Sequence, residues 1–186
     1  MTSNDKIEIN RVAVLGAGTM GAGIAAACAN AGCEVLLLDI EQSAGDAAKA
    51  RLAGGRAPVM TDDAALARIK TGSFDADFDR LAQCDWICEA IVEDLAVKRE
   101  MFAKVEAARG ERSIVTTNTS GIPLRDICAD MPARLRRDVA VTHFFNPVHV
   151  MKLVELVPGE DTARATTEAL AAFLGDRLGK GVVHAK

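Results

Sequence analysis

The chain has 186 residues, 49% of them hydrophobic, and a net charge of −4, enough to bury the core of one sizeable domain. With no basic run longer than Arg136-Arg137, this charge argues against a nucleic-acid surface, and no apolar run approaches the ~20 residues that cross a bilayer. Residues 1–10, MTSNDKIEIN, are polar where a signal peptide has its apolar core, so the reading is a cytoplasmic protein whose first residues are a frayed lead-in. Val12-Ala13-Val14-Leu15 is then short, apolar and partly β-branched, as a strand buried on both faces should be. Gly16, Gly18 and Gly21 follow it as G-x-G-x-x-G, with Ala17, Thr19 and Met20 between them. The first glycine permits a tight turn, the second lets a pyrophosphate approach the backbone, and the third lets the next helix pack close to the strand. Residues 19–31 are alanine-rich and free of proline, which predicts a helix aiming its unpaired N–H groups at a phosphate and stopping at Gly32. A second buried strand, Val35-Leu36-Leu37-Leu38, ends in Asp39, 18 positions beyond Gly21. A carboxylate there accepts from both hydroxyls of an adenosine ribose and repels a 2′-phosphate, which favours NAD over NADP.

Residues 41–53 suit an exposed helix ended by Gly54-Gly55 and Pro58, and Thr61-Asp62-Asp63 can cap a short helix running through Ile69. This excursion is longer than a tight connection, and it reads either as a solvent-facing helical pair or as one that also shapes a ligand cleft. Residues 75–83 suggest a turn and one amphipathic helix. The next strand is read over residues 86–92, with Glu89, Glu93 and Asp94 crowding its carboxyl end, where open α/β sheets hold ligands. Lys98 opens the following helix, residues 96–108, whose Val97, Met101, Phe102 and Val105 form a core stripe. For Glu93 and Lys98 a surface ion pair and a ligand contact both fit the pattern. Residues 113–117 form a further strand that runs into Asn118-Thr119-Ser120-Gly121, small hydrogen-bonding groups that either cap the segment from Pro123 or face a ligand. The five cysteines, Cys28, Cys33, Cys84, Cys88 and Cys128, have no metal-ligand spacing and read as small buried hydrophobes, with no metal site.

Residues 139–147, VAVTHFFNP, deliver a histidine at a strand end, and histidine is the side chain suited to proton transfer near neutral pH. Twelve positions after His143, the apolar run Leu153-Val154-Glu155-Leu156-Val157 carries a carboxylate that needs a partner. If that run lies beside the His143 strand, Glu155 can hold one ring nitrogen and aim the other at substrate. Residues 162–178 predict a last amphipathic helix, and residues 181–184 one more strand. The fold class is therefore α/β: a Rossmann-type doubly wound, mostly parallel sheet with helices on both faces and a helical excursion after the second strand.

Together the residues resemble the NAD-binding domain of the L-3-hydroxyacyl-CoA dehydrogenases of fatty-acid β-oxidation. The resemblance covers the whole chain and rests on GAGTMGAGIA at 16–25, Asp39, EAIVEDLAVK at 89–98, NTSGIPL at 118–124, HFFNPVHVMKLVE at 143–155 and GKGVVHAK at 179–186. It implies that His143 is the catalytic base and Glu155 its partner. It implies further that Ser120 binds the substrate oxygen, that Asn146 helps place nicotinamide and substrate, and that Glu93 and Lys98 lie near the nicotinamide half of the cofactor. Gly121 departs from members that read NTSS, and any hydroxyl function there is absent. The family continues into a helical second domain that completes the acyl-CoA site and makes a homodimer. This chain, residues 1–186, reads as the dinucleotide-binding domain alone, as in longer proteins that join the dehydrogenase to an enoyl-CoA hydratase. Rival readings are a dehydrogenase of a small non-CoA 3-hydroxyacid and an NAD-binding module without turnover.

Overall fold

The protein is described by a computed structural model over residues 7–54 and 59–185. Most of the lead-in, the expected break at Gly55 and Pro58, and Lys186 fall outside the described residues. The first strand, β1 (Arg11–Leu15), is buried at all four of its apolar positions. Its side chains alternate between two cores, Val12 and Val14 facing one and Ala13 and Leu15 the other, because a helical layer covers each face of the sheet. The chain continues through α1 (Thr19–Asn30), β2 (Glu34–Asp39), α2 (Gln42–Ala53), α3 (Asp63–Ala67) and β3 (Ile69–Ser73). A helical turn α4 (Phe74–Asp77) and a 3₁₀ segment (Phe78–Gln83) lead to β4 (Trp86–Glu89), α5 (Leu95–Ala108) and β5 (Ile114–Thr117). Then come α6 (Leu124–Ile127), α7 (Ala133–Asp138), β6 (Val139–Phe144), β7 (Leu153–Pro158), α8 (Arg164–Ala172), a π-helical turn (Phe173–Arg177) and β8 (Gly181–His184).

The eight strands form one sheet in the order β3-β2-β1-β4-β5-β6-β7-β8, parallel throughout except where β7 runs against β6. The α1, α2 and α8 helices pack on one face and α5, α6 and α7 on the other, the doubly wound architecture expected from the sequence. The winding reverses between β1 and β4, so the glycine turn after β1 opens onto the switch point where such sheets bind ligands.

Four boundaries differ from the sequence reading. The helix expected to run through Ile69 stops at Ala67, and Ile69–Ser73 is instead the edge strand β3. Only Ile69 and Gly72 are buried in it, so it carries no apolar run to announce a strand. The strand read over residues 86–92 leaves the sheet after Glu89, because residues 90–92 bend across the glycine turn and expose Val92. The amphipathic helix expected over residues 75–83 is a single turn followed by 3₁₀ geometry. The last helix splits at Phe173 into its π turn, where the Arg177 guanidinium sits over the Phe173 ring and donates to the Ile9 and Ala31 carbonyls.

All five cysteines are buried and unbridged. Burial pushes the Cys88 thiol up to about 12 and those of Cys84 and Cys128 up to about 11, so none offers a thiolate at neutral pH. Alkylation of the native protein by iodoacetamide is expected to be at least tenfold slower than after unfolding in urea, and mass spectrometry of the labelled chain checks it.

Candidate active site

The glycine turn is built by exclusion. Gly16 has a φ of +104°, and a Cβ on it would stand 2.6 Å from the Ala90 carbonyl oxygen. A Cβ on Gly21 would come within 1.8 Å of the Gly16 carbonyl oxygen, so the bare Gly21 lets α1 close on the end of β1, while the bare Gly16 admits the chain that leaves β4. Gly18 differs, because a Cβ there would meet nothing within 4 Å. Its side is open where a pyrophosphate would press against the backbone. The N-terminus of α1 has no acidic residue in its first turn and no side-chain cap, which leaves the N–H groups from Thr19 onward for an anion. Met20 is partly buried against the core beneath this turn.

Asp39 ends β2 beside the same turn. Its carboxylate accepts from the Ala17 N–H at 2.6 Å and from the Ile40 N–H at 2.7 Å, so it is fixed in place without a ligand. A cavity of about 370 Å³ runs from Gly16, Gly18 and Asp39 past Ile40 and Phe74 to Val92 and Val97. Its mostly apolar walls, with a carboxylate at the turn, suit an adenosine. These residues fit a dinucleotide.

The second half of the site lies at the carboxyl ends of β5 and β6. His143 and Glu155 stand directly opposite each other in the β6/β7 ladder, and His143 Nδ1 is 2.8 Å from Glu155 Oε2. Strand alternation puts both on one face, and the imidazole also leans on the Phe145 ring at 4.6 Å between centroids. Asn118 ties the neighbouring strand end to this pair by accepting from the Phe144 N–H at 2.9 Å. Ser120 and Asn146 are exposed on the loops that follow β5 and β6. The loop beyond Asn146 is clamped by Lys180, whose Nζ donates to the Val148 and Met151 carbonyls at 2.5 and 2.8 Å, and by Val148 packed against Gly23 of α1.

Glu93 and Lys98 are not a surface pair. The Lys98 side chain is 1% exposed and ion-paired with the fully buried Glu89 at 2.7 Å as well as with Glu93 at 3.3 Å. Burial alone would raise the Glu93 pKa, but donation from the Thr119 hydroxyl and from the Gly121 and Ser120 N–H groups, with the Lys98 charge, holds it below the ordinary range.

Residues 11–186 match the sequence model of the family described as "3-hydroxyacyl-CoA dehydrogenase, NAD binding domain". The chain belongs to that family. It is 38% identical to a probable 3-hydroxyacyl-CoA dehydrogenase of Bacillus subtilis, with 96% of this chain covering 25% of the relative. It is 36% identical to a Deinococcus radiodurans protein of the same description, with 96% of this chain covering 54% of it. Among solved structures, 3-hydroxybutyryl-CoA dehydrogenase from Escherichia coli superposes with a TM-score of 0.84 at 38% identity, over 95% of this chain and 38% of that one. The (S)-3-hydroxybutyryl-CoA dehydrogenase of Ralstonia eutropha gives 0.80 at 34% identity, over 96% and 64%. The chain thus spans between a quarter and about two thirds of the relatives named here. Its cofactor is NAD.

The sequence reading placed Glu89 at the ligand end of its strand without giving it a partner, and assigned no specific role to Lys180 or Asn118. Glu89 carried a signal, since a carboxylate inside a strand buried at every position demands a cation, and Lys98 stands nine residues on. Lys180 carried none, because its partners are backbone carbonyls of a loop whose path the sequence does not give.

Proposed function

We propose that the full-length protein oxidises L-3-hydroxyacyl-CoA to 3-oxoacyl-CoA in fatty-acid β-oxidation, in the cytoplasm and as a homodimer, with His143 as general base. The observation that carries this reading is the contact between His143 Nδ1 and Glu155 at the ligand edge of the sheet. Bound NAD supplies the hydride acceptor for C3 of the substrate. His143 takes the hydroxyl proton on Nε2, while Glu155 holds the Nδ1–H and stabilises the imidazolium that forms. Ser120 and Asn146 orient the substrate oxygen. The turn from Gly16 through Ala17, Gly18, Thr19, Met20 and Gly21 carries the pyrophosphate, Asp39 the adenosine ribose, and Glu93, Lys98 and Asn146 border the nicotinamide end. Reduction of acetoacetyl-CoA by NADH tests the reading, and a full-length protein without turnover overturns it.

In this reading residues 1–186 are the dinucleotide-binding domain, and a helical domain beyond them completes the acyl-CoA site. The 186-residue chain alone is then expected to bind NADH yet turn over acetoacetyl-CoA at least 10³-fold less efficiently than the full-length protein, because substrate positioning supplies several kcal/mol of a barrier. Comparable kcat/KM values in the two would refute the division of labour.

Asp39 sets cofactor choice by charge. NADH is expected to bind more tightly than NADPH, and Asp39→Ala to narrow the gap mainly by weakening NADH about tenfold or more, since two ribose hydrogen bonds are lost and the Ala17 N–H is set free. Fluorescence titration of both cofactors measures it. Equal affinities in the parent protein would remove Asp39 from this role.

A further inference from the structure

The carboxyl ends of β4 and β5 hold a charged network for which the proposed proton transfer has no use. Lys98 Nζ donates to both oxygens of Glu89, at 2.7 and 2.9 Å, and its remaining ion pair is with Glu93. With three N–H donors in all and almost no exposure, the ammonium is fully engaged by these two carboxylates. Glu89 is equally occupied, since it also accepts from the Thr117 hydroxyl at 2.6 Å and the Ile91 N–H at 2.7 Å. Only Glu93 reaches outward. Its Oε1 gathers three donors from one loop: the Thr119 hydroxyl at 2.5 Å, the Ser120 N–H at 3.1 Å and the Gly121 N–H at 3.2 Å. The Thr119 hydroxyl accepts in turn from the Ile122 N–H, so its proton is free to go to Glu93.

We infer that Glu93 is a positioning residue that fixes the Ser120 loop, and that the buried Glu89–Lys98 pair holds Glu93 in place to do so. This deepens the reading given above, on which Ser120 meets the substrate oxygen. The flanks of the loop are tied by the Thr119 N–H to the Thr117 hydroxyl and by the Ile122 N–H to the Thr119 hydroxyl, but its two central residues have little else to define them. Ser120 and Gly121 are exposed, and a Cβ on Gly121 would meet nothing within 4 Å. Three donors on one carboxylate oxygen fix the direction of two successive peptide planes, and with them the point at which the Ser120 side chain leaves the backbone. Two carboxylates around one ammonium leave a net negative charge on the outer one. Charge-assisted hydrogen bonds to the loop are correspondingly strong.

The test is made in the full-length protein, with amide hydrogen exchange of the peptide carrying residues 119–122 read beside the kinetics. Glu93→Ala is expected to speed exchange at Ser120 and Gly121 about tenfold or more. It is expected to raise KM for acetoacetyl-CoA by about the same factor, and the exchange rates of the two amides, rather than the NADH Kd, separate this loop role from the place of Glu93 at the nicotinamide end. Glu93→Gln retains an acceptor oxygen and should recover part of both effects. Pairing Glu89→Gln with Lys98→Met removes both buried charges together, so neither is stranded, and should loosen the same two amides. Unchanged exchange in Glu93→Ala overturns the inference, as does a KM for acetoacetyl-CoA within about twofold of the parent's, which would leave Glu93 serving the nicotinamide end alone. Ser120→Ala reads the other assignment separately: a normal KM in that variant withdraws Ser120 from substrate binding, while the exchange data still report whether Glu93 holds the loop.

Discussion

Replacing His143 with alanine in the full-length protein is expected to lower kcat by about 10²–10⁴-fold while the NADH Kd moves by less than about twofold. The asymmetry follows from the sheet order. His143 lies on β6, whereas the glycine turn follows β1, with β4 and β5 between them, so removing the imidazole leaves the dinucleotide cleft intact. Glu155→Gln should also slow turnover, since an amide cannot compensate the imidazolium, and the ring can then settle in the wrong tautomer. Steady-state kinetics with acetoacetyl-CoA and a fluorescence titration with NADH measure the two quantities. Normal turnover in the His143 variant would end the general-base assignment.

Two glycines of the turn, Gly21 and Gly18, are expected to fail in different ways. Gly21→Ala would drive a methyl to within 1.8 Å of a backbone carbonyl that cannot retreat without parting β1 from α1, so a loss of several kcal/mol and of soluble expression is expected. Gly18→Ala meets open space and should leave the melting temperature within about 2 °C, because no contact of the free protein changes. Its NADH affinity should nevertheless fall about tenfold or more, the added methyl standing where the pyrophosphate approaches. Thermal melts and NADH titrations of the two variants decide the matter. A Gly18→Ala protein that binds NADH normally would show that the phosphate passes elsewhere.

What the sequence made legible follows from how local each signal was. The βαβ unit declared itself because an apolar run, three glycines and a terminal Asp39 are short-range requirements of one motif, and β1, α1 and β2 formed where they were expected. His143 and Glu155 were legible as a conditional pair, needing only that two apolar runs twelve residues apart be neighbours, which the β6/β7 ladder satisfies in register. By contrast, β3 was hidden, since an edge strand reading IKTGS buries two residues and owes its existence to the open side of β2. The distinction between a surface ion pair and a buried one at Lys98 was also out of reach. It depends on Glu89 and Thr117 arriving from adjacent strands, and the local pattern marks only that the buried Glu89 carboxylate needs a cation, not which one reaches it. The π turn at Phe173 belongs to the same class, being fixed by contacts that Arg177 makes with residues at the start of the chain.

The antiparallel step from β6 to β7 also bears on how the chain assembles. His143 and Glu155 meet across twelve residues of chain, whereas Val12 and Trp86, neighbours in the parallel half, are separated by 74. Loop-closure entropy rises with the logarithm of that separation, so joining the distant pair costs about 1.6 kcal/mol more than joining the near one. The His143–Glu155 pair is therefore set by a local hairpin, while the switch point between β1 and β4 waits on three crossovers and their helices. During folding, the histidine–carboxylate contact can be in place before there is anywhere for a dinucleotide to bind.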